Sequence, residues 1–325
     1  MTERHWRWVM RVRVLVTLGA FGVAGIACNR GTRERPVVAL VLKTLNNAFF
    51  VEMERGARSV ADSLGLELLV QAPEREVDVE KQMQIVENLI ERRIAVLAIS
   101  PSGSREIVPA IVKAGAAGIP VVAVDTRVDV TALGKAGGRI ATFIGSDNVD
   151  GGRIAGGFIV SRLAGKGRIA VLEGIPGHES GDSRLRGFRD VVAKHAGITI
   201  VSSQTANWER DQAFNVTQNM LQSNPGLQAI FACNDVMALG AVEAIAAAGL
   251  TGRVLVVGFD AQDDARAAVA EGRMAATIAQ SPFAMGRLAM LTASRLIRRE
   301  SVPQEQPVAI ELVTATPAAQ PAAAR

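Results

Sequence analysis

Aromatic residues, cysteine and histidine are all scarce in this chain. Aromatic side chains make up 4% of the 325 residues, and tyrosine is absent. The two cysteines, Cys28 and Cys233, are too few for a disulfide framework, and the three histidines lie far apart, so no metal cluster is expected. Hydrophobic residues still make up 49%, which is enough to bury a sizeable core.

Long hydrophobic runs and an excess of one charge are also missing. Mean hydropathy is +0.22, and the apolar stretch at residues 14–27 is shorter than the about 20 residues of a membrane-spanning helix, which excludes a polytopic membrane protein. Residues 1–27 hold four arginines and one glutamate, and so supply +3 of the net charge of +4. The remaining chain is nearly neutral, which argues against nucleic-acid binding.

The N-terminal segment is typical of an export signal, with a basic region, an apolar stretch and small residues before Cys28. Residues 1–28 resemble a bacterial lipoprotein signal, in which the cysteine is lipidated, although Gly25 replaces the usual leucine-like residue. An uncleaved helix and a plain secretory signal are the alternatives. The expected location is the periplasm or the outer face of the cytoplasmic membrane, with residues 29–35 as a tether and the lipid as the only membrane contact. Cys233 is then unpaired, and its apolar context favours a core residue.

From residue 36 onward, short β-rich runs alternate with amphipathic helical stretches. The strand candidates are mostly continuous apolar runs, as expected for parallel strands covered on both faces. This alternation predicts an α/β fold of two doubly wound parallel-sheet lobes, divided near Ser146, with residues 317–325 as a disordered tail. The strand candidates are 37–42, 67–72, 94–100, 121–124, 168–172, 199–203, 229–232 and 254–258, and the helix candidates are 50–64, 80–92, 104–117, 149–164, 183–195, 210–223, 236–249 and 284–299.

Amide, carboxylate and aromatic side chains recur where the predicted strands end. Ligands of open α/β sheets bind just beyond the carboxyl ends of the strands, so these side chains are candidate ligand contacts. Arg184 and Trp208 lie on connections that can reach the same crevice. The candidates at strand ends are Asn47, Phe49, Phe50, Asp125, Asn234, Phe259, Asp260 and Gln280.

Each candidate alone also has a purely structural interpretation. Asn47, Asn234 and Asp235 can cap helices, the phenylalanines can belong to the core, and the other aspartates can end turns. Arg184 can be a solvated helix charge, and Trp208 can cover a surface apolar group. Together, however, the candidates suit an uncharged polyhydroxy ligand. Sugar hydroxyls both donate and accept hydrogen bonds, and the apolar face of a sugar ring packs on an aromatic ring.

Five stretches resemble the family of ribose-binding proteins, the periplasmic sugar-binding components of ABC importers: ALVLKTLNNAFF, IGSDNVDGGRIAG, FACNDVMALGA, VVGFD and AATIAQSP. The likeness covers about residues 36–314. It implies a periplasmic binding protein fold of type I, with two lobes joined by a three-segment hinge that closes on the sugar. By analogy, the first lobe comprises residues 36–146 and 281–309, and the second lobe comprises residues 147–280 and 310–316.

The resemblance also implies roles for the candidate residues. Phe50 and Trp208 stack on opposite faces of the sugar, Phe49 contributes from the first lobe, and Phe259 packs beside the hydrogen-bonding groups. Thr126 stands where ribose binders commonly have an arginine, Ala48 replaces a common proline, and Trp208 replaces a phenylalanine. The ligand therefore stays open among a ribose-like pentose, another pentose, a hexose and a polyol. The hydrogen-bonding groups are Asn47, Asp125, Arg184, Asn234, Asp260 and Gln280.

The resemblance implies an importer permease with its ATPase as the protein partner, a monomeric state, and neither cofactor nor metal. A sugar sensor for a chemoreceptor is the alternative output. A regulator of the lac-repressor type needs a helix-turn-helix domain ahead of the core, where this chain has only the leader and the tether. An enzyme is disfavoured, because the glycine-rich residues 151–157 lie in a helix-like stretch and no Walker A motif, nucleophile elbow or HExxH motif occurs. Residues 126–138 are expected to form a linker near the hinge.

Overall fold

The computed structural model describes residues 35–315. The predicted signal segment, Cys28, nearly all of the tether and the C-terminal tail lie outside these residues. The strands are β1 (Val37–Val41), β2 (Glu67–Gln71), β3 (Val96–Ile99), β4 (Val121–Val124), β5 (Thr142–Gly145), β6 (Lys166–Glu173), β7 (Gly197–Thr205), β8 (Ala229–Ala232), β9 (Leu255–Asp260), β10 (Ala276–Ala279), β11 (Glu305–Pro307) and β12 (Glu311–Thr314). The helices are α1 (Ala48–Ala61), α2 (Val79–Glu91), α3 (Val108–Ala116), α4 (Val130–Lys135), α5 (Asn148–Arg162), α6 (Glu179–Val192), α7 (Arg210–Ser223), α8 (Asp235–Ala247), α9 (Asp263–Ala270) and α10 (Pro282–Ile297).

The strands form two six-stranded sheets that share one internal order. The first sheet runs β11-β5-β4-β3-β1-β2, and the second runs β12-β10-β9-β8-β6-β7. Neighbouring strands are parallel, except that β12 pairs with β10 in the antiparallel direction. Strands β1–β5 therefore have counterparts in β6–β10. This arrangement confirms the predicted α/β fold with two parallel-sheet lobes.

The chain passes between the two sheets three times. After β5 of the first sheet, α5 packs against α6 of the second lobe, and after β10 of the second sheet, α10 packs against α1 of the first lobe. The third passage joins β11 of the first sheet to β12 of the second. Each lobe thus receives one helix that follows a strand of the other lobe.

Both exchanged helices lie very close to their partners, at glycines. A Cβ at Gly286 of α10 would lie 1.8 Å from the carbonyl oxygen of Met53 in α1. A Cβ at Gly187 of α6 would lie 1.9 Å from the carbonyl oxygen of Val149 in α5. A larger residue at either position would force the helices apart. This close packing fixes where α1 and α6 present their first turns.

The central strands lie in the core because their side chains are apolar on both faces. Leu40 of β1 and Ile230 of β8 have no exposed surface. In the second lobe, the rings of Phe188 and Phe231 stack with their centroids 4.6 Å apart. Cys233, just after β8, is fully buried, and this burial raises the pKa of its thiol to about 12, which confirms the expected core position.

The structure contains elements that are too short for the sequence to reveal. Strands β5, β10 and β11 and helix α9 were not among the predicted elements, because a few residues carry too little periodicity. The segment 126–138 was predicted to be a linker near the hinge, and this was wrong. It contains α4, which begins where the Asp129 carboxylate accepts a hydrogen bond from the Ala132 backbone N–H at 2.9 Å. Across residues 35–315, no helix is both long and apolar enough to cross a membrane.

Candidate ligand-binding site between the lobes

One pocket is lined by residues at the carboxyl ends of strands from both sheets. Lys43 follows β1, Asp125 follows β4, Asn234 lies beyond β8, and Asp260 ends β9. Parallel strands bring their carboxyl ends to one edge of a sheet, which is why residues far apart in sequence meet here. The lining residues are Lys43, Asn47, Phe49, Phe50, Glu76, Asp125, Ser180, Arg184, Trp208, Asn234 and Asp260.

Asn47 both caps a helix and lines the pocket. Its side-chain oxygen accepts a hydrogen bond from the backbone N–H of Phe49 at 3.0 Å, which starts α1. Its amide nitrogen donates to Glu76 at 3.2 Å. Desolvation by the surrounding protein raises the pKa of Glu76, although Lys43 and this hydrogen bond act in the opposite direction. The capping interpretation and the binding interpretation of Asn47 are therefore compatible.

Two aromatic rings of α1 form the first-lobe wall of the pocket. The rings of Phe49 and Phe50 meet edge to face, with centroids 5.2 Å apart, and both are nearly fully buried. The ammonium of Lys43 lies 5.8 Å from the centre of the Phe50 ring. These rings offer an apolar surface beside a charged group, as an amphipathic ligand requires.

The first lobe holds its carboxylate, Asp125, in an unusual backbone conformation. Its φ angle is +65°, a region that non-glycine residues rarely adopt. The carboxylate accepts hydrogen bonds from the hydroxyls of Ser100 at 3.1 Å and Thr126 at 2.9 Å, and it lies 3.5 Å from the Lys43 ammonium. Thr126 is thus a support for Asp125 behind the pocket surface.

The second lobe holds Arg184 rigidly. Its guanidinium donates to the Asn148 side chain at 2.8 Å and to the Cys233 carbonyl oxygen at 2.7 Å. The guanidinium carbon lies 3.9 Å from the centre of the Phe259 ring, and one nitrogen lies 3.5 Å from the Asp260 carboxylate. Phe259 is fully buried beneath Arg184, so it acts as a platform.

Asp260 is a carboxylate kept in a poorly solvated position. Burial raises its pKa to about 6, while the Arg184 guanidinium and a hydrogen bond from Gln280 oppose this rise. The Gln280 amide donates to Asp260 at 2.8 Å, so Gln280 lies behind Asp260.

Asp235 lies near Asp260 and is fully buried, and burial also raises the pKa of Asp235. Asn234 accepts a hydrogen bond from the Met237 backbone N–H at 2.9 Å and caps α8.

Trp208 forms the second-lobe wall of the pocket. Its indole lies against two glycines, since a Cβ would come within 1.9 Å of the ring at Gly174 and 2.8 Å at Gly181. The indole N–H donates to Nδ1 of His178 at 3.2 Å. The two glycines therefore leave room for the indole ring, which is larger than a phenylalanine ring, and His178 accepts the hydrogen bond of the indole N–H.

Several polar contacts join the two lobes around the pocket. Gln262 donates to the Asn47 side chain at 3.0 Å, and the Glu179 backbone N–H donates to the Ser104 hydroxyl at 3.2 Å. The hydroxyls of Thr126 and Ser180 are 3.3 Å apart. Near the pocket mouth, Arg75 forms an ion pair with Glu209 at 2.7 Å. These contacts describe lobes that are closed on each other.

Eight of the eleven predicted site residues line the pocket directly, and Thr126, Phe259 and Gln280 lie just behind it. The sequence analysis missed Lys43, Glu76 and Ser180. Lys43 had a detectable signal, because it directly follows an apolar strand. The charged loop that contains Glu76 is typical of a solvated surface, so nothing in the sequence singles it out.

Each cation of the pocket is paired with a carboxylate of its own lobe. Lys43 lies near Asp125 in the first lobe, and Arg184 lies near Asp260 in the second. The pocket itself encloses about 20 Å³ and adjoins a vestibule of about 320 Å³ that shares Asn47, Glu76 and Trp208. Ligand binding would therefore require these side chains to move apart and to exchange some of their mutual contacts for contacts with the ligand, which neutral hydroxyl groups can make.

Comparisons with known proteins agree with this architecture. The chain is 36% identical to the ribose import binding protein RbsB of Haemophilus influenzae over 303 residues, which cover 93% of this chain and 100% of that protein. It is 39% identical to the D-allose-binding periplasmic protein of Escherichia coli over 249 residues, covering 76% of this chain and 80% of that protein. An ABC transporter periplasmic solute binding protein from Actinobacillus succinogenes, solved with bound D-allose, has a TM-score of 0.82 and 38% identity, covering 86% of this chain and 98% of that chain.

The family match spans most of the described residues. Residues 38–301 match the family described as periplasmic binding protein domain. This span begins in β1 and ends after α10, so it includes the pocket-lining residues of both lobes. The chain belongs to the family of periplasmic binding proteins.

Proposed function

We propose that this protein is an extracytoplasmic receptor that binds a neutral monosaccharide between its lobes and delivers it to an ABC importer. One observation carries the proposal. The rings Phe50 and Trp208, from different lobes, line the same pocket as the carboxylates Asp125 and Asp260. Flat rings cover the apolar faces of a sugar, and charged acceptors and donors hold its hydroxyls strongly.

The ligand that we propose is a six-carbon or five-carbon sugar in its neutral form, with D-allose and D-ribose as the first candidates. The relatives named for these two sugars are 39% and 36% identical to this chain. The pairing of Lys43 with Asp125 and of Arg184 with Asp260 supports a neutral ligand, because neither cation lacks a carboxylate partner that an anionic ligand would replace. Glu76 and Ser180 add polar groups beyond those predicted, which suits a ligand with many hydroxyls.

We also propose that binding involves hinge closure and no chemical turnover. The cross-lobe contacts of Asn47, Thr126 and Ser104 form only when the lobes are closed, so a ligand that bridges the lobes favours this state. An importer permease would then distinguish the closed form from the open one. A lipid on Cys28 would hold the receptor at the membrane surface.

A ligand screen tests this proposal. Thermal unfolding is measured with a panel of pentoses, hexoses and polyols, and hits are confirmed by calorimetry. A ligand at one hundred times its Kd stabilises the native state by about 2.7 kcal/mol, which is readily detected. Solution scattering with and without the bound sugar should show a smaller radius of gyration in the complex. Absence of any sugar hit, or a sugar recovered chemically altered, would contradict the proposal.

A further inference from the structure

The histidine that contacts Trp208 is buried at the junction of the two lobes. His178 is 2% exposed and immediately precedes α6. Its Nδ1 accepts the hydrogen bond from the Trp208 indole at 3.2 Å, and the two ring centroids are 6.4 Å apart. To accept this hydrogen bond, Nδ1 must carry no proton, so the imidazole is neutral in this arrangement.

The residues that follow His178 are those that meet the first lobe. The Glu179 backbone N–H donates to Ser104, and the Ser180 hydroxyl lies 3.3 Å from Thr126. The Ser102 backbone makes a further polar contact with the imidazole. His178 therefore contacts the Trp208 ring and also lies in the surface that the lobes bury when they close.

We propose that His178 is a positioning residue for the Trp208 ring and that its protonation opposes closure of the lobes on the sugar. This inference rests on the proposed function, since it concerns the affinity of the same pocket. A protonated imidazole has N–H groups on both nitrogens, so it can no longer accept the indole hydrogen bond. It would also be a buried cation in the closed interface, where Lys43 of the first lobe repels it.

Among the charged groups near His178, Lys43 has the resolved effect on the pKa of the imidazole. Lys43 from the first lobe repels the protonated form, and Arg184 of α6 lies 5.9 Å from the Trp208 ring. Glu179 and Asp182 follow on its own helix, where the carboxylate of Glu179 accepts from Ser183. Burial, followed by Lys43, lowers the pKa of His178 to about 3 in the closed form, whereas the Ser102 contact raises it slightly.

The sign of the pH dependence follows from the difference between the pKa of His178 in the closed form and its pKa in the open form. When the lobes separate, His178 loses its first-lobe neighbours, and its pKa returns toward the ordinary value of about 6.5. Protons then bind the open form more strongly than the closed form between about pH 3 and pH 6.5. Sugar affinity is therefore nearly full at about pH 7.5, and it falls by up to about tenfold as the pH decreases from 7.5 to 5.5.

The experiment measures the Kd for D-allose and D-ribose by calorimetry from pH 5.5 to pH 8 in four proteins. These are the wild type, His178→Asn, His178→Ala and His195→Asn, where His195 is an exposed histidine that serves as the matched control. Asparagine keeps a hydrogen-bond acceptor but does not titrate. We expect His178→Asn to bind somewhat more weakly than the wild type at pH 7.5 and to lose most of the acid-induced weakening. We expect His178→Ala to bind about tenfold more weakly than the wild type at pH 7.5, because it leaves the indole N–H without an acceptor, and also to lose most of the acid-induced weakening.

The control His195→Asn should follow the wild-type profile. Any pH dependence that remains in His178→Asn belongs to the buried carboxylates Glu76, Asp235 and Asp260, which are present in all four proteins. If the wild type binds a sugar and His178→Asn keeps the full acid-induced weakening, the inference about His178 is wrong and the proposed function stands. If the wild type binds neither sugar nor any other ligand of the screen at pH 7.5, the proposed function fails and this inference fails with it.

Discussion

Asp125 and Asp260 occupy equivalent positions in the two lobes, at the carboxyl ends of β4 and β9, and both have a positive φ angle. The angles are +65° and +112°, and both carboxylates line the same pocket. Each carboxylate lies 3.5 Å from a cation of its own lobe, Lys43 or Arg184. An L-residue in this backbone region is strained, and such strain is typical of functional sites in which a side chain must point in one direction. The two lobes therefore approach the ligand with matching charged pairs.

The first prediction concerns Asp260→Asn. Burial raises the pKa of Asp260 to about 6, so at pH 7.5 the unliganded protein holds an ionised carboxylate at a cost. We expect the variant to lose sugar binding and to be more stable without ligand, by about 2 kcal/mol at pH 7.5. The pKa of Asp260 is higher in the native state than in the unfolded state, so protonation of Asp260 stabilises the native state. This stabilisation is full below about pH 4 and is lost as the pH rises through 6. Thermal unfolding should therefore show a larger gap between variant and wild type at pH 7.5 than at pH 5.

The exposed Glu91 at the end of α2 provides a control for this experiment, as Glu91→Gln. It should change neither the sugar-induced shift nor the unfolding temperature at pH 7.5. A wild-type-sized sugar shift in Asp260→Asn would remove Asp260 from the binding site.

The second prediction concerns the packing of the Trp208 ring against Gly174. A methyl group in Gly174→Ala would come within 1.9 Å of the indole, so the ring must move. We expect a loss of stability of about 1–3 kcal/mol and a large loss of sugar affinity. Adding Trp208→Phe removes the clashing atoms and should restore part of the lost stability. A double-mutant cycle on unfolding free energies measures this coupling; strict additivity of the two changes would contradict the described contact.

The third prediction concerns the ion pair of Arg75 with Glu209, which joins the lobes near the pocket mouth at 2.7 Å. Both side chains are partly exposed, so water and salt screen the pair. We expect Arg75→Gln to increase the sugar dissociation rate and the Kd by less than about fivefold, with the difference disappearing at about 1 M salt. Arg273→Gln, which breaks an exposed ion pair within the second lobe, should leave the dissociation rate unchanged. An effect of Arg75→Gln that persists at high salt would show that the residue acts by another route.

The fourth prediction contrasts two glycines of the second lobe. In Gly187→Ala, the new methyl group would meet the Val149 carbonyl oxygen, so α6 must shift and carry Arg184 with it. We expect a destabilisation of about 3 kcal/mol and weaker sugar binding. In Gly157→Ala, the methyl group would meet nothing within 4 Å on a helix, and we expect a gain of about 0.5–1 kcal/mol with unchanged Kd. Chemical denaturation and calorimetry measure both outcomes.

The sequence predicts the larger part of the fold because the central strands are apolar on both faces. Strands β4 and β8 were predicted with the observed bounds. The four-residue β5 and β10 carry too few apolar positions to be recognised, and α4 lies in a glycine-containing segment that favours a loop. Short elements of this kind are specified by tertiary contacts more than by local pattern.

The candidate site was partly predictable for a different reason. Strand ends mark positions such as Asp125 and Asp260, whatever their neighbours are. Glu76 was missed because a charged residue in a polar loop looks solvated until the fold shows its surroundings. Lys43 was missed although it directly follows an apolar strand, and it is only 3% exposed. For Asn47, the choice between a helix cap and a ligand contact was not a real choice, because its oxygen caps α1 while its nitrogen lies in the pocket.

The exchange of α5 and α10 between the lobes ties folding to completion of the chain. Helix α10 supplies Met285 and Met290 to the same buried cluster as Leu40 of β1. A nascent chain that ends near residue 146 therefore has five of the six strands of the first sheet, but the part of one face that α10 covers stays exposed until residues 282–297 have been synthesised. An isolated fragment of residues 35–146 would lack part of its own core, so the first lobe cannot complete its packing until the chain of the second lobe has been synthesised.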